Sequence, residues 1–123
     1  MALTVTPLGR PLANDLAIET ALSTTLKTNV FMGPCSPQCF QITKASGGSN
    51  AASVKLYDDD GTGVSLGTTG PNLILPIPNG GSLTVFIDGG LYFEEGFSMA
   101  AAEENGKVVT TAPDSNVTVR VIV

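Results

Sequence analysis

The 123-residue chain contains no histidine and no tryptophan, and charged residues make up only 14% of it. Without histidine, neither a Ser-His-Asp triad nor a Cys-His pair can form. The carboxylate pairs Glu94–Glu95 and Glu103–Glu104 consist of neighbours, which point to opposite faces of a strand. With two arginines, two tyrosines and no tryptophan, the chain also has few side chains that hold a sugar for hydrolysis. We therefore expect no catalytic residue, no cofactor and no enzymatic activity.

Positive charge is equally sparse. Lysine and arginine total six, they are scattered along the chain, and the net charge is −5. Phosphate backbones are bound by clustered basic residues, and anionic membranes also attract them, so we expect neither nucleic acid nor membrane as a partner. No apolar run approaches the roughly 20 residues that span a bilayer. The first residues lack the basic and apolar regions of a signal peptide, so we expect synthesis in a cytoplasm.

The low charge is not a sign of disorder, because apolar residues make up 42% of the chain. Two explanations of it stay open. Much of the surface faces neighbouring copies or a larger assembly, or the surface is simply rich in threonine, serine and asparagine. At this length we expect one domain with one core.

Short alternating segments separated by strand-breaking residues run through the chain from residue 22 onward, and the last, residues 117–123, is the most regular. About eight strands are expected, among them residues 22–32 and 107–110. Pro76 and Pro78 confine the strand around residue 75 to a sheet edge or to its own end. Such spacing indicates an all-β fold, a single antiparallel β-sandwich or jelly-roll-like domain over residues 21–123.

Residues 1–20 show no clean period, and we interpret them as an extended N-terminal arm that packs on something. Its apolar side chains Leu3, Val5, Leu8 and Leu12 are candidates for an interface. The other interface candidates are aromatic or apolar residues on nominally polar strand faces or after a double glycine: Phe86, Leu91, Tyr92, Phe93 and Ile122. The alternative is that these residues form a second apolar layer beneath the arm.

Two further motifs raise the question of a disulfide or a metal site. Cys35 and Cys39 flank Pro37, which would suit a tight turn, so they are either a disulfide pair across a hairpin or two reduced thiols. Their C-x3-C spacing without other ligands does not make a zinc site. The run Asp58, Asp59 and Asp60 lacks the ligand spacing of an EF-hand. We expect a solvated turn there and no metal.

Four segments together resemble a known family. They are V-K-L-Y-D, L-I-L-P-I-P-N-G-G-S-L-T-V, G-G-L-Y-F-E-E-G-F-S-M-A and the terminal V-T-V-R-V-I-V. In this order they are similar to small structural proteins of tailed-bacteriophage virions, over roughly residues 40–123. The loop at residues 33–39 and the triple aspartate depart from that pattern.

The resemblance implies a non-enzymatic β-sandwich protein of the virion. It implies a capsid decoration (cement) protein on the capsid exterior, made in the host bacterial cytoplasm. Its partners would be the major capsid protein and further copies of itself, with a trimer favoured. The alternative is a tail, baseplate or fibre module that binds a host glycan or an adaptor protein through Tyr57, Tyr92 and the aspartate loop.

Overall fold

The computed structural model describes residues 15–123, and all the regular structure there is β-strand. Seven strands form two antiparallel sheets, which confirms the expected all-β, sandwich-like architecture. In chain order the strands are β1 Leu16–Glu19, β2 Cys39–Lys44, β3 Ala52–Asp58, β4 Leu73–Ile77, β5 Ser82–Phe86, β6 Phe97–Ala102 and β7 Val117–Ile122. Within these residues there is no helix long and apolar enough to cross a membrane.

Sheet A has the strand order β1-β7-β2-β5, and sheet B has the order β4-β3-β6. The core lies between the sheets and is built from the alternate, inward-facing residues of each strand. Buried side chains from both sheets belong to one cluster: Phe40, Ile42, Val119 and Val121 from sheet A, and Val54, Leu56, Leu75 and Met99 from sheet B. The alternation predicted for β7 is confirmed, since its inward residues are buried and the others are partly or fully exposed.

Sheet B is buried on both faces. All six residues of β6 and the first six of β3 are buried. A second apolar cluster on the outer face joins Tyr57, Ala100 and Ala102 to Val109. Leu26 packs against that cluster from one segment and Val64 and Leu66 from a second, while Val109 itself belongs to a third. We call these segments, residues 23–28, 59–70 and 103–111, the outer cover of sheet B.

Two expected strands do not form. Residues 22–32 make only an isolated bridge between Lys27 and Met99, and two of them, Asn29 and Met32, have φ angles of 46° and 57°. A positive φ interrupts the extended geometry, so the segment runs as an irregular strip along the edge of β6. Residues 107–110 also form no strand, and of these four only Val109 is buried.

The edge position predicted from Pro76 and Pro78 is confirmed, because β4 is an edge strand of sheet B and carries Pro76 opposite Ser53. Part of the predicted arm, Leu16–Glu19, forms β1 and pairs with β7 of the same domain. Residues 1–14, which include Leu3, Val5, Leu8 and Leu12, lie outside the described residues.

Candidate interaction surface

The outer face of sheet A carries a row of four side chains, one from each strand. The pairing register places Leu16 opposite Ile122, Ile122 opposite Cys39, and Cys39 opposite Phe86. Directly opposed residues lie on the same face of a sheet, so the four side chains form one line across all four strands. We call this line the apolar row.

The apolar row is largely open to solvent. Phe86 is 79% exposed, Leu16 55% and Ile122 41%, whereas Cys39 in the middle is 7% exposed. Phe86 and Ile122, together with the turn at residues 87–89, also line a groove of about 490 Å³. Contiguous exposed apolar side chains of this kind are typical of interaction surfaces.

The face becomes polar away from the row. The next row contains Arg120, Gln41 and Thr84, with Ile18 at its β1 end 52% exposed. The row beyond it contains Thr118, Thr43 and Ser82. The apolar surface is therefore confined to one end of sheet A, with Ile18 extending it along β1.

A turn next to the apolar row holds the other predicted interface residues. The backbone N–H of Leu91 donates to the Pro37 carbonyl at 2.8 Å, which ties this turn to the cysteine loop. Gly90 has a φ of +81°, and a Cβ there would lie 2.6 Å from the Ser36 carbonyl oxygen. The close contact of the two loops therefore requires glycine at position 90.

The predicted interface residues fall into three environments. Phe86 and Ile122 belong to the apolar row, and Tyr92 is 61% exposed on the adjacent loop. Leu91 is half-buried against the core. Phe93 is 1% exposed and packs edge-on against Phe97 with ring centroids 5.0 Å apart, so it contributes nothing to the surface.

Sequence reasoning missed Leu16, Ile18 and Cys39. Their alternation with Ala17 and with Phe40 was a usable signal, because period two marks a two-sided strand. Leu16 and Ile18 were assigned to an arm, and Cys39 was considered only as a thiol. A local sequence pattern could not show which residue of the neighbouring strand lies opposite each of these three residues.

The two cysteine thiols are free and buried. Burial, with a smaller contribution from the charge of Asp58, raises the pKa of the Cys35 thiol. A raised pKa keeps the thiol protonated and unreactive at neutral pH. Cys35 belongs to the core cluster, whereas Cys39 lies in the apolar row of the outer face. Of the two alternatives, the structure has the reduced thiols, and the disulfide stays untested.

The three consecutive aspartates organise their own loop. Asp59 accepts hydrogen bonds from the Gly61 and Gly63 N–H groups at 2.7 and 3.0 Å. Asp60 accepts from Thr62, and Asp58 accepts from the Glu95 N–H at 2.8 Å. Each carboxylate therefore serves a different part of the backbone. In the part of the chain that the structure describes, no three metal-ligating side chains cluster.

Tyr57, proposed with the aspartate loop as part of a glycan site, is 1% exposed under the outer cover. Its hydroxyl is buried and finds no hydrogen-bond partner among residues 15–123. Burial raises the pKa of the Tyr57 hydroxyl. A residue enclosed in this way cannot stack on a sugar, so Tyr57 and Tyr92 do not form one groove.

Two buried lysines are fully engaged inside the fold. The Lys44 ammonium donates to Asn79, Asp114 and Ser115 at 2.9, 2.6 and 2.7 Å. The hydrogen bond from Lys44, followed by one from the Ser49 N–H, lowers the pKa of Asp114 to about 2. This clamp joins the end of β2 to three loops.

The second buried lysine lies under the outer cover. The Lys55 ammonium donates to the Glu104 and Val108 carbonyl oxygens at 2.6 and 2.7 Å. Burial lowers its pKa, and the nearby charge of Glu104 opposes that shift. Both of its hydrogen bonds go to backbone carbonyl oxygens of the 103–111 loop. Lys55 therefore holds this loop in place and is not positioned as a nucleophile.

Comparisons with protein-family models, with curated proteins and with solved structures found no match to this chain.

Proposed function

We propose that this chain is a structural protein of a bacteriophage virion, and specifically a decoration protein that binds the capsid exterior. Jelly-roll-like connectivity, an arm over residues 1–20 and a trimeric state belong to the same proposal. The sequence support is the set of four segments that resemble small virion proteins.

The observation that carries the proposal is the exposed apolar row on sheet A. Leu16, Ile122 and Phe86 lie open to water on a chain with only 14% charged residues. Burying apolar surface stabilises a complex by roughly 25 cal/mol per Å² of area removed from water. A surface that is apolar at one end and polar at the other suits a partner that covers only that end.

The function would be mechanical. A sandwich domain that binds the assembled shell, and not its separate subunits, stabilises the shell by mass action. Small contact energies would add over the many copies in a particle. No bond is made or broken in this role, which agrees with the absence of histidine and with the engagement of Lys44 and Lys55 inside the fold.

Immunoelectron microscopy tests the proposal. Antibody raised against the purified protein would be applied to particles from cells that carry the gene, and we expect label over the heads. Label confined to tails would replace this proposal with the tail, baseplate or fibre alternative. Particles without label, in cells that make the protein, would overturn both.

A further inference from the structure

The clamp around Lys44 brings an amine, an amide and a carboxylate together. The Lys44 side chain is fully buried, and its ammonium donates to Asn79 Oδ1 at 2.9 Å and to Asp114 Oδ1 at 2.6 Å. Its third hydrogen bond goes to the Ser115 hydroxyl at 2.7 Å. The three partners come from the turn between β4 and β5 and from the loop before β7, so the fold, and not nearness in sequence, assembles this group.

The amide of Asn79 is held in one orientation. Its Nδ2 donates to the Gly48 carbonyl at 2.9 Å, which leaves Oδ1 facing the Lys44 ammonium. Since a carbonyl bond is about 1.23 Å long, Lys44 Nζ lies no more than about 4.1 Å from Asn79 Cγ. Reacting atoms in a near-attack arrangement are about 3–3.5 Å apart, so a shift of about 1 Å or less brings the nitrogen to the amide carbon.

The carboxylate of Asp114 is also held in place. Its Oδ2 accepts hydrogen bonds from the Ser49 and Asn50 N–H groups at 2.7 and 3.1 Å, and its Oδ1 is left to Lys44. A Cβ at Gly48 would overlap this carboxylate, so glycine is what allows its turn to approach so closely. In this geometry Asp114 can take a proton from Lys44 along their hydrogen bond.

The lowered pKa of Asp114 does not prevent this transfer. Its largest cause is the hydrogen bond from Lys44, and that cause disappears when the same proton moves to Asp114. The N–H groups of Ser49 and Asn50, which also lower the pKa, bond to Oδ2. Oδ1 is therefore free to hold the proton while the amine reacts.

We propose that Lys44 and Asn79 react within the folded chain to form an isopeptide bond, with Asp114 as the general base and acid. Asp114 takes a proton from the Lys44 ammonium, and the neutral amine attacks Asn79 Cγ. A bond forms between Nζ and Cγ, and the bond between Cγ and Nδ2 breaks. The departing nitrogen receives, through Asp114, both protons that Nζ gives up. It leaves as an ammonium ion, and Asp114 is again a carboxylate, so no oxidant or co-reactant is needed.

The bond would join the end of β2 to the turn between β4 and β5. Since β4 belongs to sheet B and β5 to sheet A, this turn crosses from one sheet to the other. The link would close a loop over residues 44–79, and a covalent cross-link stabilises a fold by restricting its unfolded chain. It forms once in each chain, so it goes beyond the binding role proposed above and does not depend on it.

Mass spectrometry of the purified full-length protein tests this inference. We expect a mass about 17 Da below that calculated for the chain, the loss of one ammonia. Trypsin does not cleave after an acylated lysine, so the digest should contain a branched peptide that joins residues 28–55 to residues 56–107. Lys55 is the internal control, because it is equally buried but bonds only to backbone carbonyls and should be cleaved normally. The full calculated mass, with complete cleavage after Lys44, would overturn the inference.

Two variants assign the roles of the reacting groups. Lys44→Arg keeps the positive charge but has no nucleophilic amine, and Asp114→Asn removes the base. We expect both to have the full calculated mass, with their folding checked by circular dichroism. If either fails to fold, the branched peptide of the unmodified protein still decides whether the bond exists. An unchanged loss in Asp114→Asn would overturn the role of Asp114.

Two other reactions of the same groups also give a loss of mass. Asn79 precedes Gly80, and closure of its side chain onto that backbone nitrogen releases ammonia as well. A loss that persists in Lys44→Arg would assign this closure and overturn the isopeptide bond. A loss of about 18 Da, the mass of water, would assign an amide between Lys44 and Asp114 and overturn the role of Asn79. None of these measurements involves particles, so the inference and the proposed function can fail separately.

Discussion

The outer faces of the two sheets both carry apolar side chains but have opposite surroundings. On sheet B, Tyr57 and Ala100 are buried beneath the outer cover. On sheet A, Leu16, Phe86 and Ile122 remain exposed. Since residues 15–123 cover one apolar face with their own loops and leave the other open, the open face is the surface that we propose for a partner.

The loops that connect the strands explain why one outer face is covered and the other is not. The segments that follow β3 and β6 are long, and they fold back over sheet B. The turn between β4 and β5 is short, and Gly81 closes it by donating to the Pro78 carbonyl at 3.0 Å. The long loops also supply hydrogen-bond acceptors for buried polar groups, since the Lys55 ammonium donates to two carbonyl oxygens of the 103–111 loop. A covered face can therefore include polar side chains that would be costly without partners.

The largest effect is expected from removing the side chain at the centre of the covered face. Tyr57→Ala would leave a cavity under the outer cover, and large-to-small substitutions of aromatic residues cost about 3–5 kcal/mol. We expect a loss of this size in the free energy of unfolding, measured by urea denaturation. The matched control is Tyr92→Ala, since Tyr92 is 61% exposed and should change stability by no more than about 0.5 kcal/mol.

A third variant separates the ring from the hydroxyl. Tyr57→Phe keeps the ring and removes a buried group without a partner among residues 15–123, so we expect a gain of about 1 kcal/mol. If Tyr57→Ala and Tyr92→Ala destabilised the protein equally, the distinction between a covered and an open face would be wrong.

The next effect concerns the loop that covers sheet B. Burial alone would raise the pKa of Glu104, but hydrogen bonds from the Thr111 and Thr110 N–H groups and the Thr110 hydroxyl lower it from 4.5 to about 2. A lowered pKa in the folded state stabilises the protein above pH 4.5, and the contribution disappears as the pH falls to about 2. Glu104→Ala should therefore cost about 1 kcal/mol at pH 7 and almost nothing at pH 2.

Stability measured by urea denaturation between pH 2 and pH 7 checks this difference. Glu94→Ala is the control, because Glu94 is exposed and receives no hydrogen bond from residues 15–123. A penalty for Glu104→Ala that stayed constant down to pH 2 would show that the lost packing, and not the charge, accounts for it.

The sequence predicted strands where alternation and flanking turns agreed, as in β2, β5 and β7. It failed at residues 22–32, where a good alternation is interrupted by positive φ angles at Asn29 and Met32. Asparagine tolerates that region, but methionine gives no local warning of it. Contacts with the edge of β6 decide the path of that segment, and such contacts are invisible in a local pattern.

The candidate surface was predicted in part for a related reason. Phe86 and Ile122 stood out because each interrupts a polar strand face. Leu91, Tyr92 and Phe93 are neighbours in sequence but differ in exposure, since the turn at Gly90 sends one outward and one into the core. The outer cover was not predicted, because long polar loops give no sign of the face that they will cover.

The smallest effect on stability should come from the open face, and this sharpens the comparison most. Phe86→Ser removes the most exposed aromatic side chain of the apolar row, so we expect a change in unfolding free energy below about 1 kcal/mol. Phe97→Ser, in contrast, removes a fully buried ring and should cost several kcal/mol, as Tyr57→Ala does.

Phe86→Ser should nevertheless reduce binding to particles, because a residue can be dispensable for folding and central to an interface. Co-sedimentation of the folded variant with particles that lack the protein measures this. Unchanged binding would remove the apolar row from the proposed contact with the capsid. A change in binding without a change in stability would show that the uncovered end of sheet A binds a partner. On sheet B, the outer cover prevents such binding.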